Sequence, residues 1–204
     1  MNLLITVKGS KHIYNILNMN TTEPTSKSKW KEKLNITDEK WKQIYQYPFQ
    51  KHISTTLQWF QTRIIHRILA TRKYLYMIKI KESSKCLYCN AEETITHMLW
   101  DCHKTQDIIN SLNGWLFDNE NLEITEVAFI LNISNNFTPV QQYILLETKY
   151  YIFSAKHLEK PLSIINLKNK LKRIVQTLEI IASDNNETDS FIHSWDSYKA
   201  KILH

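Results

Sequence analysis

Only two glycines, Gly9 and Gly114, occur in 204 residues, and that scarcity narrows the folds open to this chain. Glycine-rich phosphate loops, of the dinucleotide-binding or the nucleoside-triphosphatase kind, need several glycines at fixed spacing, and none can be assembled here. With four prolines, turn-rich sandwiches and barrels are disfavoured as well. Hydrophobic residues make up 43% of the chain and aromatics 11%, enough to bury a core and to set disorder aside. The expected class is mostly α, an irregular helical domain.

Periodicity and punctuation place the helices. Lys11–Met19 is helix-prone, and the polar stretch Asn20–Lys29 reads as a linker. Short helices follow over 29–34 and 38–46, the second with Thr37 as N-cap, Asp38 and Glu39 in its first turn, and Pro48 beyond its end. Residues 51–72 read as one longer helix. Leu57, Phe60, Ile64, Ile65 and Ile68 share its apolar side, with Trp59, Arg63, His66 and Lys73 opposite. Tyr74–Lys81 reads as a short strand or an extended lead-in. Helical patterning resumes over 93–112 and, more weakly, 122–131.

Thr138 and Pro139 open a helix reaching Leu158 that is apolar nearly all round, with Gln142, Lys149 and Lys156 as a thin polar stripe. An amphipathic helix after Pro161 carries Ile164, Leu167, Leu171, Ile174, Leu178 and Ile181, and a last one spans 188–202, anchored by Phe191, Trp195 and Tyr198. The organisation expected is therefore 1–29, an N-terminal helix and linker; 30–117, a basic helical segment; and 118–204, a helical tail packing on it.

The formal net charge is +6, unevenly spread: residues 1–85 hold 16 Lys/Arg against 5 Asp/Glu, and residues 86–204 hold 10 against 15. A basic half of this strength suits a phosphate-backbone partner, although lysines also simply solvate helix faces. Three cysteines, an odd number, argue against a secreted disulfide framework. The apolar lead before Lys8 is too short for a signal sequence, and no run approaches about 18 apolar residues. The expectation is an intracellular protein of the cytoplasm, the nucleus or both, with no membrane partner.

All three cysteines lie within seventeen residues, with a histidine between the last two: Cys86-x2-Cys89-x7-His97-x4-Cys102. A CxxC turn presents two thiolates together, and a downstream His/Cys pair can close a tetrahedron, the arrangement of a structural Cys3His zinc site. Four protein ligands leave no open position for a catalytic water. Lys85 is placed to favour the Cys86 thiolate, and His103 is a competing ligand with poorer geometry. Buried, reduced cysteines beside an incidental histidine are the alternative. The expected cofactor is Zn2+, held in a small knuckle (86–102) inserted between helices. No Ser-centred elbow, HExxH or paired-carboxylate motif accompanies it, so no catalysis is expected. The acidic run Asp118, Glu120, Glu123 and Glu126 reads as a solvated face.

These residues carry a resemblance. Trp41-Lys-Gln-Ile-Tyr45, Pro48-Phe-Gln50, Trp59-Phe-Gln-x-Arg63-Ile-Ile-His66-Arg67-Ile-Leu-Ala-Thr71-Arg72 and the cysteine–histidine run through Glu93, Trp100 and Cys102 resemble the zinc-binding region that follows the reverse transcriptase of non-LTR (LINE-type) retrotransposons. The likeness is dense over 41–102. It continues loosely through Ile144–Ile152, Leu178–Ala182 and Phe191–Trp195.

The resemblance implies a non-catalytic accessory module that contacts nucleic acid, RNA ahead of DNA, beside a reverse transcriptase domain absent from this chain. The side chains expected to contact nucleic acid are Trp59, Arg63, His66, Arg67, Arg72, Lys73, Lys79 and Lys81, with Trp59 or Tyr88 stacking on unpaired bases. Core packing is an equal alternative for Trp59. The competing functional reading is a zinc-stapled helical scaffold for protein interaction, or a non-functional element remnant.

Overall fold

The computed structural model describes residues 23–117, 124–133 and 136–203. The helix expected over Lys11–Met19 and the acidic residues Asp118, Glu120 and Glu123 fall outside them. Among the described residues the protein is mostly helical and has no strand, only an isolated antiparallel bridge between Lys85 and Glu92. The helices are α1 (Thr25–Leu34), α2 (Asp38–Gln46), α3 (Thr55–Ile65), α4 (Arg72–Met77), α5 (His103–Leu112), α6 (Glu126–Leu131), α7 (Pro139–His157), α8 (Ile164–Asp184) and α9 (Thr188–Leu203). A 3-10 turn follows α2, and π-helical turns at His97–Asp101 and Asn113–Phe117 flank α5.

Of the stretch expected as one helix over 51–72, only Thr55–Ile65 is helical before α4 begins at Arg72. α3 stops at Ile65, where Arg67 takes a left-handed conformation (φ 59°). The Arg67 amide donates to the Ile64 carbonyl at 3.0 Å and the Ile68 amide to the Arg63 carbonyl at 2.9 Å, which is a Schellman ending. Glycine normally takes that position, so an arginine there hides the break. The same ending, with Lys79 at φ 61°, closes α4 and corrects the reading of 74–81 as a strand or extended segment. Thr71 caps α4, accepting a hydrogen bond from the Tyr74 amide.

One hydrophobic cluster runs from Trp30 to Ile202, joining both halves of the chain. Trp30 is fully buried and donates its indole N–H to the Ile65 carbonyl at 3.0 Å. α3 lays Leu57, Phe60, Ile64 and Ile65 against α6 and α7. At the start of α7, Thr138 and Gln141 form a reciprocal capping box, with Pro139 at the first helical position, worth about 1 kcal/mol. In the polar stripe of α7, Gln142 is half-buried and both lysines are buried. Lys149 is completely buried, donating to Gln61 Oε1 at 2.6 Å, to the Ile130 carbonyl at 3.2 Å and to Asn132 Oδ1. Three donors meet three acceptors, so the ammonium group ties α3, α6 and α7 together. Burial pushes its pKa well below 10.5. On α8 the buried line is Leu167, Leu171, Val175 and Ala182, whereas Ile181 is exposed.

Candidate metal centre

The site is built on one tight loop and one π-helical turn. Around the CxxC pair the Cys86 amide donates to the Ala91 carbonyl at 2.7 Å and the Asn90 amide to the Cys86 carbonyl at 3.1 Å. Asn90 takes φ 58°, the left-handed conformation that asparagine tolerates better than most residues. The loop is anchored on α4: the buried Glu93 carboxylate accepts the Arg72 amide at 3.1 Å, at the positive end of that helix.

His97 opens the π-helical turn, and its amide is held by Thr94 Oγ1 at 3.0 Å. Five residues on, the Cys102 amide donates to the His97 carbonyl at 3.1 Å. In an α-helix, positions five apart point about 140° away from each other. The wider i→i+5 turn brings both side chains to one side, as π-bulges at functional sites often do. Helical patterning over 93–112 registers this region as helix and conceals the turn within it.

The ligand atoms of Cys86, Cys89, His97 and Cys102 all lie within 4.8 Å of one another. The Cys86 and Cys102 sulfurs are 3.9 Å apart, and Cys89 Sγ is 3.2 Å from His97 Nε2. A tetrahedron with Zn–S bonds of about 2.3 Å has S···S edges of about 3.8 Å. The donor set and the spacing therefore fit a zinc-sized tetrahedral ion. It is the one such group among the described residues, and His103 is not in it.

Burial pushes the Cys86 thiol up to about 11. Burial opposes ionisation at Cys102 too, but the Lys156 charge and the Thr105 and Lys104 amides outweigh it and hold that thiol below its ordinary value. Burial, and then Lys156, lowers His97, in the direction that favours the neutral ring a ligand needs. The cation beside Cys86 is therefore not Lys85, which is exposed, but Lys156, whose Nζ lies 4.0 Å from Cys86 Sγ. Sequence reasoning missed it because 70 residues separate the two.

The expected nucleic-acid residues divide into three groups. Trp59, Arg63 and His66 lie exposed on one face of α3, and Trp59 is 61% exposed, which removes core packing as its role. Lys79 is exposed as well. Arg72 and Lys81 both pair with Glu159, at 3.4 and 3.1 Å, and Lys73 pairs with Glu92 at 2.6 Å. Arg67 stacks its guanidinium on Trp30, 4.4 Å from the ring centroid. The end of α3 at Ile65 takes Arg67, Arg72 and Lys73 off the helical face that carries Arg63.

A family model described as zinc-binding in reverse transcriptase matches residues 10–108, which include all four ligands. No curated protein matches the chain. The family is an accessory zinc-binding domain and not the polymerase core. With the motif and the clustered donor atoms in agreement, residues 10–108, just under half of the chain, are similar to the family of zinc-binding domains in reverse transcriptase.

Proposed function

We propose that this chain is a non-catalytic nucleic-acid-binding module whose Cys86, Cys89, His97 and Cys102 hold one Zn2+. When bound, the ion supplies a structural crosslink with a closed shell, locking the loop to the π-helical turn. The working partner is RNA ahead of DNA, in a retrotransposon of the non-LTR (LINE) type. The reverse transcriptase domain acts beside it, inside the cell.

The observation that carries this reading is the α3 face. An exposed tryptophan and an arginine one turn away, with no ion-pair partner for Arg63 among the described residues, form a stacking platform beside a free cation. Trp59 stacks on an unpaired base, Arg63 and His66 take phosphates, and Lys79 extends the positive surface. Arg72, Lys73 and Lys81 are held by carboxylates and contribute less. Arg67 serves the fold.

The test is salt-dependent binding of the zinc-loaded chain to single-stranded RNA, duplex RNA and duplex DNA. Arg63→Ala should lower the slope of log affinity against log salt by roughly 0.7–0.9. Trp59→Ala should weaken single-strand binding selectively. A Trp59→Ala/Arg63→Ala chain with unchanged affinity and slope would refute the assignment of this face.

A second reading has its own observation. Tyr76, Met77, Ile78 and Ile80 are all exposed at the end of α4, with Met77 at 67%. Contiguous exposed apolar residues mark protein-docking surfaces, so the scaffold reading gains if nucleic acid does not bind.

A further inference from the structure

Lys156 lies in the last turn of α7, outside the matched segment 10–108, yet its ammonium group is aimed into the metal centre. The residue is only 4% exposed. Its Nζ is 4.0 Å from Cys86 Sγ and 5.5 Å from the Tyr88 ring centroid, and no carboxylate pairs with it among the described residues. A buried lysine with no carboxylate partner is costly unless another negative charge faces it. The neighbouring turn is fastened to the same loop, since the Tyr88 hydroxyl donates to the Lys160 carbonyl at 2.6 Å. Glu159, between them, pairs with Arg72 and Lys81.

We propose that Lys156 is the outer-shell cation of the metal centre, offsetting the surplus negative charge of three thiolates and a neutral imidazole around a divalent ion. Three thiolates against a dipositive ion leave one negative charge, and the ammonium neutralises it where Lys156, Cys86 and Cys102 are buried and charge attraction is less screened. The helical tail is thereby part of the metal site, which the ligand motif alone does not complete. Lys156 touches no ligand exchange itself; it is a positioning and charge-balancing residue. The inference rests on the metal reading given above.

A packing role and a charge-balancing role differ in sign when the metal is absent. Without the ion, the ammonium is a buried charge with no carboxylate paired to it among the described residues, and replacing it with an isosteric apolar chain relieves its desolvation. With the ion, the same replacement removes the buried ammonium that compensates the charge.

The experiment uses the full chain, as wild type, Lys156→Met and Lys156→Arg. Zinc affinity is measured by chelator competition at one pH, and melting temperature with and without zinc. Lys156→Met should bind zinc roughly ten- to a hundredfold more weakly, as outer-shell losses do. Its metal-free melting temperature should be unchanged or higher, and its gain on adding zinc smaller. Lys156→Arg should keep most of the affinity.

Wild-type zinc affinity in Lys156→Met would overturn the inference and leave the metal reading intact. So would equal losses of melting temperature with and without zinc, or a Lys156→Met chain that no longer folds metal-free, since either marks a packing residue. A wild-type chain that binds no zinc would overturn the metal reading itself, and this inference with it.

Discussion

Lys149 and Lys156 sit seven residues apart on α7, both buried, in opposite surroundings. Lys149 meets three neutral acceptors, Gln61 Oε1 on α3 and the Ile130 carbonyl and Asn132 Oδ1 at the end of α6. Lys156 meets a thiol and an aromatic ring. The first lysine is a crosslink of the helical core, complete as it stands. The second makes sense against a negatively charged centre. A buried charge is read by what faces it, and the same residue type on one helix serves stability in one place and a site in the other.

Substitutions at the two ends of α7 should separate these roles. The largest effect belongs to the ligands: Cys102→Ser should abolish tight zinc binding and lower the melting temperature of the zinc-treated chain more than any other change here. Structural zinc is worth about 10–16 kcal/mol in small finger peptides, and less net in a chain with its own core. Calorimetry with and without zinc checks this.

Next comes the core crosslink. Lys149→Met leaves the buried acceptors Gln61 Oε1 and Asn132 Oδ1 without their lysine donor, while the Ile130 carbonyl keeps the Gln61 amide; the cost should be about 1–3 kcal/mol, with no change in zinc affinity. The cost should grow with pH. The native Lys149 pKa lies below its unfolded value of 10.5, so between the two the unfolded chain binds the extra proton. Wild-type stability then rises with pH relative to Lys149→Met across that window. Urea melts of both proteins between neutral pH and pH 10 test the sign.

Thr138→Ala, at the opposite end of α7 from the metal, should cost about 1 kcal/mol through loss of the capping box and leave zinc affinity untouched. Chemical denaturation measures the one and chelator competition the other. Smallest of all, Glu159→Gln removes the exposed pairs with Arg72 and Lys81. It should lower the melting temperature slightly in low salt and not at all in high salt.

Much of this was legible in the residues. The helical class followed from glycine scarcity, and the start of α7 from Thr138 and Pro139, because local chemistry decides both. The four ligands could be grouped because thiolate and imidazole spacing is a local signal too. What could not be read depended on distant partners or disguised endings. Arg67 in a left-handed helix cap looks like a continuing helix, and so joins cations that the fold separates. Glu92 and Glu159 neutralise lysines and an arginine that pattern alone leaves free. Lys156 shows as one polar position on an apolar helix until α7 is laid against the knuckle. Periodicity reports which residues share a face, not what stands opposite that face.

The central claim is a single metal ion joining Cys86, Cys89, His97 and Cys102. Its most direct test is metal analysis of the full chain purified without added zinc, beside a Cys89→Ser chain. The account predicts close to one equivalent of zinc in the wild type and none in the variant. A folded wild-type chain with normal helicity, free of metal and unable to take up zinc, would contradict it.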